Sequence, residues 1–420
     1  MRIGMITWGS QGDVRPFLAL SDVLSRRDHR VDLVVCSIDE SEYSDLRCGE
    51  GVDLHFTSPI PIDRETLDRK SWEAISDRNP VNHYRFLMEK FFFPLEEELV
   101  EYSERLCTNC DVVVKHLAVY PLSVLSERYR VPLVDISPTP IAIPSAGLPL
   151  PGVPWAGRAA NVLLWRLASW LFSRLMRPSV NGLRGRFGMD PVRNVHHWLL
   201  EANDLTLLTC SPALLPEEPG WMVPTHPCGK FEAPLLEPEL PERLERFLSS
   251  GPPPVYATTG SMMYFEPQPQ KLLELIADAI RAAGYRGVIQ YDQRSPEPAT
   301  NGDDILVVGR TPHCSIFPRC RAAIHHAGAG TTHTAVENGL PSVVVMYGVD
   351  QLFWGPQLHR LGLAPKPLLR RKLTMNDLAA AIDTACGSEK IGSRVRRAAA
   401  AMSADKGATA AAELIETLRP

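Results

Sequence analysis

The sequence lacks long hydrophobic runs: no stretch reaches the ~18–20 uncharged apolar residues of a membrane-spanning helix. Its first apolar run, Ile3–Trp8, gives way to Gly9-Ser10-Gln11-Gly12 and is too short for the core of a secretory signal. Net positive charge is also missing. Lysine and arginine number 44 against 49 aspartate and glutamate, a balance of −5, which argues against a surface built to hold nucleic acid. The nine cysteines are odd in number and scattered, so they form no disulfide framework. Cys107 and Cys110 have CxxC spacing, but Cys314 and Cys320 lie far along the chain at a different spacing, and no zinc site is expected. These absences point to the reducing cytoplasm and to a protein without metal or nucleic-acid partner.

What is present is ordinary globular composition, 45% hydrophobic and 22% charged over 420 residues, enough at roughly 150 residues per domain for two domains with cores of their own. Arg2–Trp8 reads as a strand, Gly9–Asp13 as a tight loop, Pro16–Arg27 as a helix and Val31–Ser37 as a second strand. This is the alternation of a parallel sheet. It continues through Val112–Val114, a helix over Leu122–Tyr129 and the strand Val131–Ile136. A second set runs through Val255 onward, a helix over Gln270–Ala283, and strands at 287–291, 305–308 and 322–325. It ends with a helix from Thr331 to Asn338 and the strand 342–346. The stretch Ser211–Pro254, dense in proline and glutamate, reads as the linker.

From Ile136 to Met189 there is no Asp or Glu, yet six arginines fall between Arg158 and Arg186. As a helix, Ala159–Arg177 would align Leu164, Leu167, Leu171 and Leu175 on one face. Arg166, Arg174 and Arg177 would lie opposite, with Trp165 on a flank and Trp170 among the arginines. Such a segment suits a packed surface helix with arginine stems over apolar surface, the wall of an acceptor pocket, or weak contact of 155–186 with an anionic membrane.

Three runs carry chemistry. His325-His326-Ala327-Gly328-Ala329-Gly330-Thr331-Thr332 follows a strand and opens a helix. Small residues let backbone amides approach a ligand, the helix N-terminus attracts an anion, and His326, Thr331 and Thr332 add donors, which suits a diphosphate. It is neither a P-loop nor a dinucleotide fingerprint. Asp350-Gln351 lies beyond the next strand, at the same edge, where it can hold hydroxyls or where Asp350 can simply cap a helix over Leu352–Leu361. Asp13, just past the first strand, can serve as a general base or cap the helix that Pro16 enters.

These runs together resemble the family 1 glycosyltransferases of the GT-B fold. They are most similar to bacterial natural-product members of glycopeptide and macrolide type, and also to sterol glucosyltransferases and rhamnolipid-type rhamnosyltransferases. The resemblance takes in the N-terminal loop, Pro312-His313 with Phe317-Pro318, the histidine–glycine turn and Asp350-Gln351. It implies an α/β chain with two Rossmann-like parallel-sheet domains facing across a cleft. These are an acceptor-binding domain over 1–228, a nucleotide-sugar domain over 229–407, and a helix within 408–420 that crosses back to the first domain. The implied activity is inverting, metal-independent transfer from a UDP- or dTDP-sugar to a hydroxyl of a hydrophobic acceptor such as a polyketide, macrolide, peptide or sterol, by a monomer or homodimer without cofactor.

Residue by residue, the resemblance implies Asp13 as base. His326, Gly328, Gly330, Thr331, Thr332, Ser261 (after Gly260) and Ser10 would lie at the diphosphate, and Asp350 and Gln351 at the sugar. Arg310, Thr311 and His313 would line the nucleobase pocket, with His116, Phe92 and Trp165 toward the acceptor. Two departures stand out. Plant-type members place histidine where Asp13 stands, and a ribose-binding glutamate where Thr334 stands. No two aspartates are two residues apart, so the Asp-x-Asp metal pair of other glycosyltransferases is missing. A nucleotide-sugar 2-epimerase and a non-catalytic nucleotide-sugar-binding relative or partner activator are the alternatives.

Overall fold

The computed structural model describes residues 1–38, 49–60, 72, 80–215, 220–232, 240–291, 302–348 and 350–418. The chain divides into two compact units. One comprises Met1–Pro61, Arg85–Leu236 and Asp405–Pro420, the other Ile62–Tyr84 and Glu237–Ala404.

The first unit is built on β1 (Arg2–Gly9), β2 (Arg30–Ser37), β3 (Val52–Phe56), β4 (Val112–His116), β5 (Leu133–Ser137), β6 (Leu205–Leu208) and β7 (His226–Pro227). They form a parallel sheet in the order β3-β2-β1-β4-β5-β6-β7. The inner strands are buried on both faces, which is why they read as unbroken apolar runs rather than alternating ones. The order turns back between β1 and β4. The carboxyl ends of these two strands therefore open a crevice at the switch point, the place where sheets of this kind hold ligands.

The second unit repeats the plan with β8 (Val255–Thr258), β9 (Gly287–Gln290), β10 (Ile305–Val308), β11 (Ala322–His325), β12 (Ser342–Met346) and β13 (Leu368–Leu369). They pair in parallel in the order β10-β9-β8-β11-β12-β13. Here the switch point falls between β8 and β11. Each sheet carries its own core. One gathers Ile3, Met5, Phe17, Leu18, Val114 and Ile136; the other gathers Val255, Leu273, Ile276, Ile324 and Ile382.

Three boundaries differ from the sequence reading. The first helix runs Gln11–Ser25 and starts before Pro16, which lies inside it; Asp13 therefore sits within its first turn. The stretch Ser211–Pro254 is more structured than a linker. β7 completes the first sheet, and the helix Glu242–Ser249 buries Leu244 and Leu248 against Tyr256, Val288 and Phe317 of the second unit. The third concerns the helix Arg158–Arg186, whose buried side is Asn161, Trp165, Ser173, Met176, Val180 and Leu183. Leu167 and Leu171 are exposed, while Asn161 on the buried side donates to the Ser145 and Leu148 carbonyls.

The helix Ala408–Glu416 belongs to the first unit. Ala411, Ala412 and Ile415 pack among Phe17, Leu18 and Leu20, and Glu416 receives Arg27 at 2.7 Å and faces His29 Nε2 at 2.9 Å. These contacts, Arg27 first, draw the Glu416 carboxyl down to about 2. Ile415 is fully buried, so Ile415→Ala should cost about 2–5 kcal/mol. Chemical denaturation should show it as a lower midpoint at unchanged slope.

Candidate functional site

At the first switch point, β1 ends in Gly9 with φ +140°, and a side chain there would meet Asp13 Oδ2 at 2.3 Å. Glycine is needed because the Asp13 carboxylate folds back over the turn. Oδ2 accepts from the Ser10 amide at 3.0 Å and the Ser10 hydroxyl at 3.3 Å, an arrangement that caps the helix Gln11–Ser25. The other oxygen, Oδ1, faces His116 Nε2 at 3.6 Å.

Register accounts for this meeting. Ile6 pairs with Lys115, so the carboxyl end of β4 delivers His116 beside the loop that follows β1. The Ala118 amide donates to His116 Nδ1 at 3.4 Å, which leaves Nε2 as the protonated nitrogen, turned toward Asp13. His116 is buried while the Asp13 side chain keeps 27% of its surface exposed. The site thus offers solvent a carboxylate held at one oxygen by its own loop and faced at the other by a buried imidazole.

Sequence expectation and structure part at two residues. Phe92 is fully buried, stacked on Tyr120 at 5.4 Å and edge-on to Trp8 at 5.8 Å. Trp165 is buried and donates from Nε1 to the Leu148 carbonyl at 3.2 Å. Both are packing residues that support the walls and present almost no surface to an acceptor.

At the second switch point, Thr258 pairs with His325, so the turns after β8 and β11 run side by side. The His326 ring lies between two glycines. A Cβ on Gly260, which has φ +56°, would reach the ring at 2.5 Å, and one on Gly328 would meet Nε2 at 2.4 Å. Burial lowers the His326 pKa to about 4, so the ring is neutral at pH 7 with one N–H to give. Ala327 beside it holds a left-handed φ of +67°, a conformation costly to a residue with a side chain.

The helix Ala329–Glu337 starts here, its N-terminal amides at the carboxyl edge of the sheet. His326 Nδ1, Thr259 Oγ1 and Thr332 Oγ1 are buried with no hydrogen-bond partner. Polar atoms are seldom left so, and three around one helix N-terminus mark a place for a polar ligand. Thr331 lies in the same turn, half-buried, and Gly330 is exposed with open space around it. Ser261 lies in the short helical turn Gly260–Phe265; its hydroxyl falls outside the described residues. Among the described residues no group of three or more His, Cys, Asp or Glu is placed to hold a metal ion.

Asp350 occupies the N-cap of the helix Gln351–Leu361, but its side chain accepts no capping bond from that helix. Gln351 is buried, and its carboxamide oxygen accepts from the Tyr347 amide at 2.7 Å. Only its amino group is left for a ligand. Sequence reasoning missed the neighbouring ion pair, in which Arg370 clasps buried Glu266 through two bonds of 2.9 Å.

Toward β9 and β10, His313 stacks on Phe317 with centroids 4.7 Å apart and planes 7° from parallel. The Thr311 amide donates to Gln290 Oε1 at 3.3 Å, and the Tyr256 hydroxyl donates to the same oxygen at 2.6 Å. Arg310 is exposed. Gln290 also escaped sequence reasoning, since it ends a strand and lies in no motif.

Two Rossmann-like parallel-sheet units, each with polar side chains gathered at its switch point, make up the GT-B fold. Solved structures share the fold. Spinosyn forosaminyltransferase superposes with a TM-score of 0.67 at 14% identity, covering 100% of this chain and 99% of that one. The calicheamicin glycosyltransferase CalG4 superposes with a TM-score of 0.66 at 19% identity over 99% and 97%. A family model described as the C-terminal domain of erythromycin biosynthesis protein CIII-like proteins matches residues 276–418. The O-mycaminosyltylonolide 6-deoxyallosyltransferase of Streptomyces fradiae is 31% identical over 99% of this chain and 97% of its own length. The sterol 3-beta-glucosyltransferase UGT80A2 of Arabidopsis thaliana is 25% identical over 98% of this chain and 64% of its own length. The chain belongs to the family 1 glycosyltransferases and is an enzyme of that class.

Burial holds His326 to about 4, His325 to about 3 and His196 to about 4, against about 6.5 for histidine in an unfolded chain. Between these values the unfolded chain binds protons that the folded one refuses. Stability should therefore be full above about pH 6.5 and fall as pH drops toward about 4, as melting midpoints measured across that range would show.

Proposed function

We propose that the enzyme moves a sugar from a UDP- or dTDP-sugar to a hydroxyl of a hydrophobic natural product, with inversion at the anomeric carbon and without a metal ion. The observation that carries this reading is the cradle around His326: a neutral ring wedged between glycines, beside orphaned buried threonine hydroxyls and a helix N-terminus. Such a group of donors fits a diphosphate. The acceptor class rests on the relatives, whose names give O-mycaminosyltylonolide, the vancomycin aglycone (for an enzyme of Amycolatopsis orientalis) and a sterol as acceptors.

In the proposed reaction, the acceptor oxygen attacks the anomeric carbon as that carbon's bond to the diphosphate oxygen breaks. The hydroxyl proton passes to Asp13, and the electron pair of the broken bond stays on the diphosphate. His326, Thr331, Thr332, Thr259 and the amides from Gly328 to Gly330 stabilise the charge that gathers there, as an oxyanion hole does. Ser261 and Ser10 are assigned to the same phosphates. Asp350 and the Gln351 amino group hold sugar hydroxyls, while Thr311, His313 and Arg310 line the base. His116 orients the Asp13 carboxylate through Oδ1. Metal independence is supported by the lack of an Asp-x-Asp pair and by a charge-stabilising site that the chain itself supplies.

Asp13→Asn should keep nucleoside diphosphate affinity and lower turnover by about 10²-fold or more. Equal turnover in a coupled assay with a macrolide or sterol acceptor would remove Asp13 from the chemistry. His326→Ala should weaken UDP or dTDP binding by about 10–100-fold, the loss of a hydrogen bond to a charged group. Calorimetric titration with and without EDTA would measure this, and a chelator that abolished binding would refute the metal-free reading.

A further inference from the structure

The helix Arg158–Arg186 buries a side that mixes Trp165, Met176, Val180 and Leu183 with hydrogen-bonded polar residues, and it carries a second apolar stripe outward. Inward, Asn161 donates to the Ser145 and Leu148 carbonyls at 2.7 and 2.6 Å, and Ser173 donates to Asn194 Oδ1 at 3.0 Å. His196 gives its Nε2 proton to the Ala142 carbonyl at 3.0 Å and lies 2.9 Å from Ser169 Oγ. This lattice of directed bonds fixes the rotation of the helix, so the outward face does not result from loose packing. That face shows Leu163 at 68% exposure, Leu167 at 53%, Trp170 at 55% and Leu171 at 41%, at the i, i+4, i+7, i+8 spacing of one helical stripe. Among the described residues ten large apolar side chains are exposed, and these four with Trp155 are half of them. Contiguous patches of this kind mark interaction surfaces.

Charge identifies the partner. Exposed Arg166, Arg174 and Arg177 flank the stripe, and no Asp or Glu occurs between Ile136 and Met189. A second copy of the face would set arginine against arginine with no acid of the segment to pair with them. Leucine and tryptophan on a helix lying in a surface plane, edged by arginine, match the boundary between acyl chains and anionic headgroups. We infer that the outward face of this helix docks on an anionic lipid surface. Docking is independent of the transfer chemistry, and it concentrates the enzyme where lipophilic compounds partition.

The test is sedimentation of the full chain with extruded vesicles of phosphatidylcholine alone or with one-third phosphatidylglycerol. The protein should pellet with the anionic vesicles only, less so as salt rises. Arg166→Gln and Arg174→Gln should each lower the partition coefficient roughly fivefold. The double substitution Leu167→Ser with Trp170→Ser should abolish pelleting while leaving the melting midpoint and UDP or dTDP affinity unchanged. Several results would overturn the inference: no pelleting with either vesicle, pelleting that these variants leave intact, or a lipid-free dimer that the serine variant dissociates. A rise in acceptor KM in variants that still pellet would instead make the stripe an acceptor wall.

Discussion

The second unit depends on one close contact, the His326 ring held between the backbones of Gly260 and Gly328. A side chain on either glycine would push the ring out of its slot. The contact couples two turns that the parallel pairing of β8 and β11 only brings near each other. It also dries the imidazole, which is why the ring stays neutral, and a neutral ring can donate to an anion only through a proton it already carries. The left-handed alanine at position 327 is the local strain that accompanies this geometry.

The first unit answers a similar demand with a different device. At its switch point the Asp13 carboxylate is also a structural cap, and the same Ser10 groups that hold Oδ2 close the first turn of the helix Gln11–Ser25. A carboxylate built into a helix start gains rigidity from secondary structure. What remains adjustable is Oδ1, and there the buried His116 faces it.

Much of this was legible in the sequence. Buried parallel strands such as Ile305–Val308 and Ala322–His325 are short apolar runs with sharp ends, so they could be read with their bounds. The glycine turn and its histidine could be read because close approach permits few residue types. Helix orientation was harder. In Arg158–Arg186 the apolar periodicity left open which face packs, because Asn161 and Ser173 find their carbonyl and amide partners in neighbouring loops. Phe92 and Trp165 failed as acceptor residues for a related reason, since an aromatic in an irregular stretch gives no sign of whether it fills a core or lines a pocket. Gln290 and the Glu266–Arg370 pair were invisible because their roles arise from contacts between distant elements.

The helix Ala408–Glu416 completes the core begun by Phe17 and Leu18, although nearly four hundred residues separate them and the whole second unit is threaded between. Of the two units, the first thus begins earlier and closes later. During synthesis the outer face of its first helix waits uncovered, while the second unit has every strand of its own sheet before those closing residues emerge. The core around the first helix is therefore complete only when Ala411 and Ala412 settle against it.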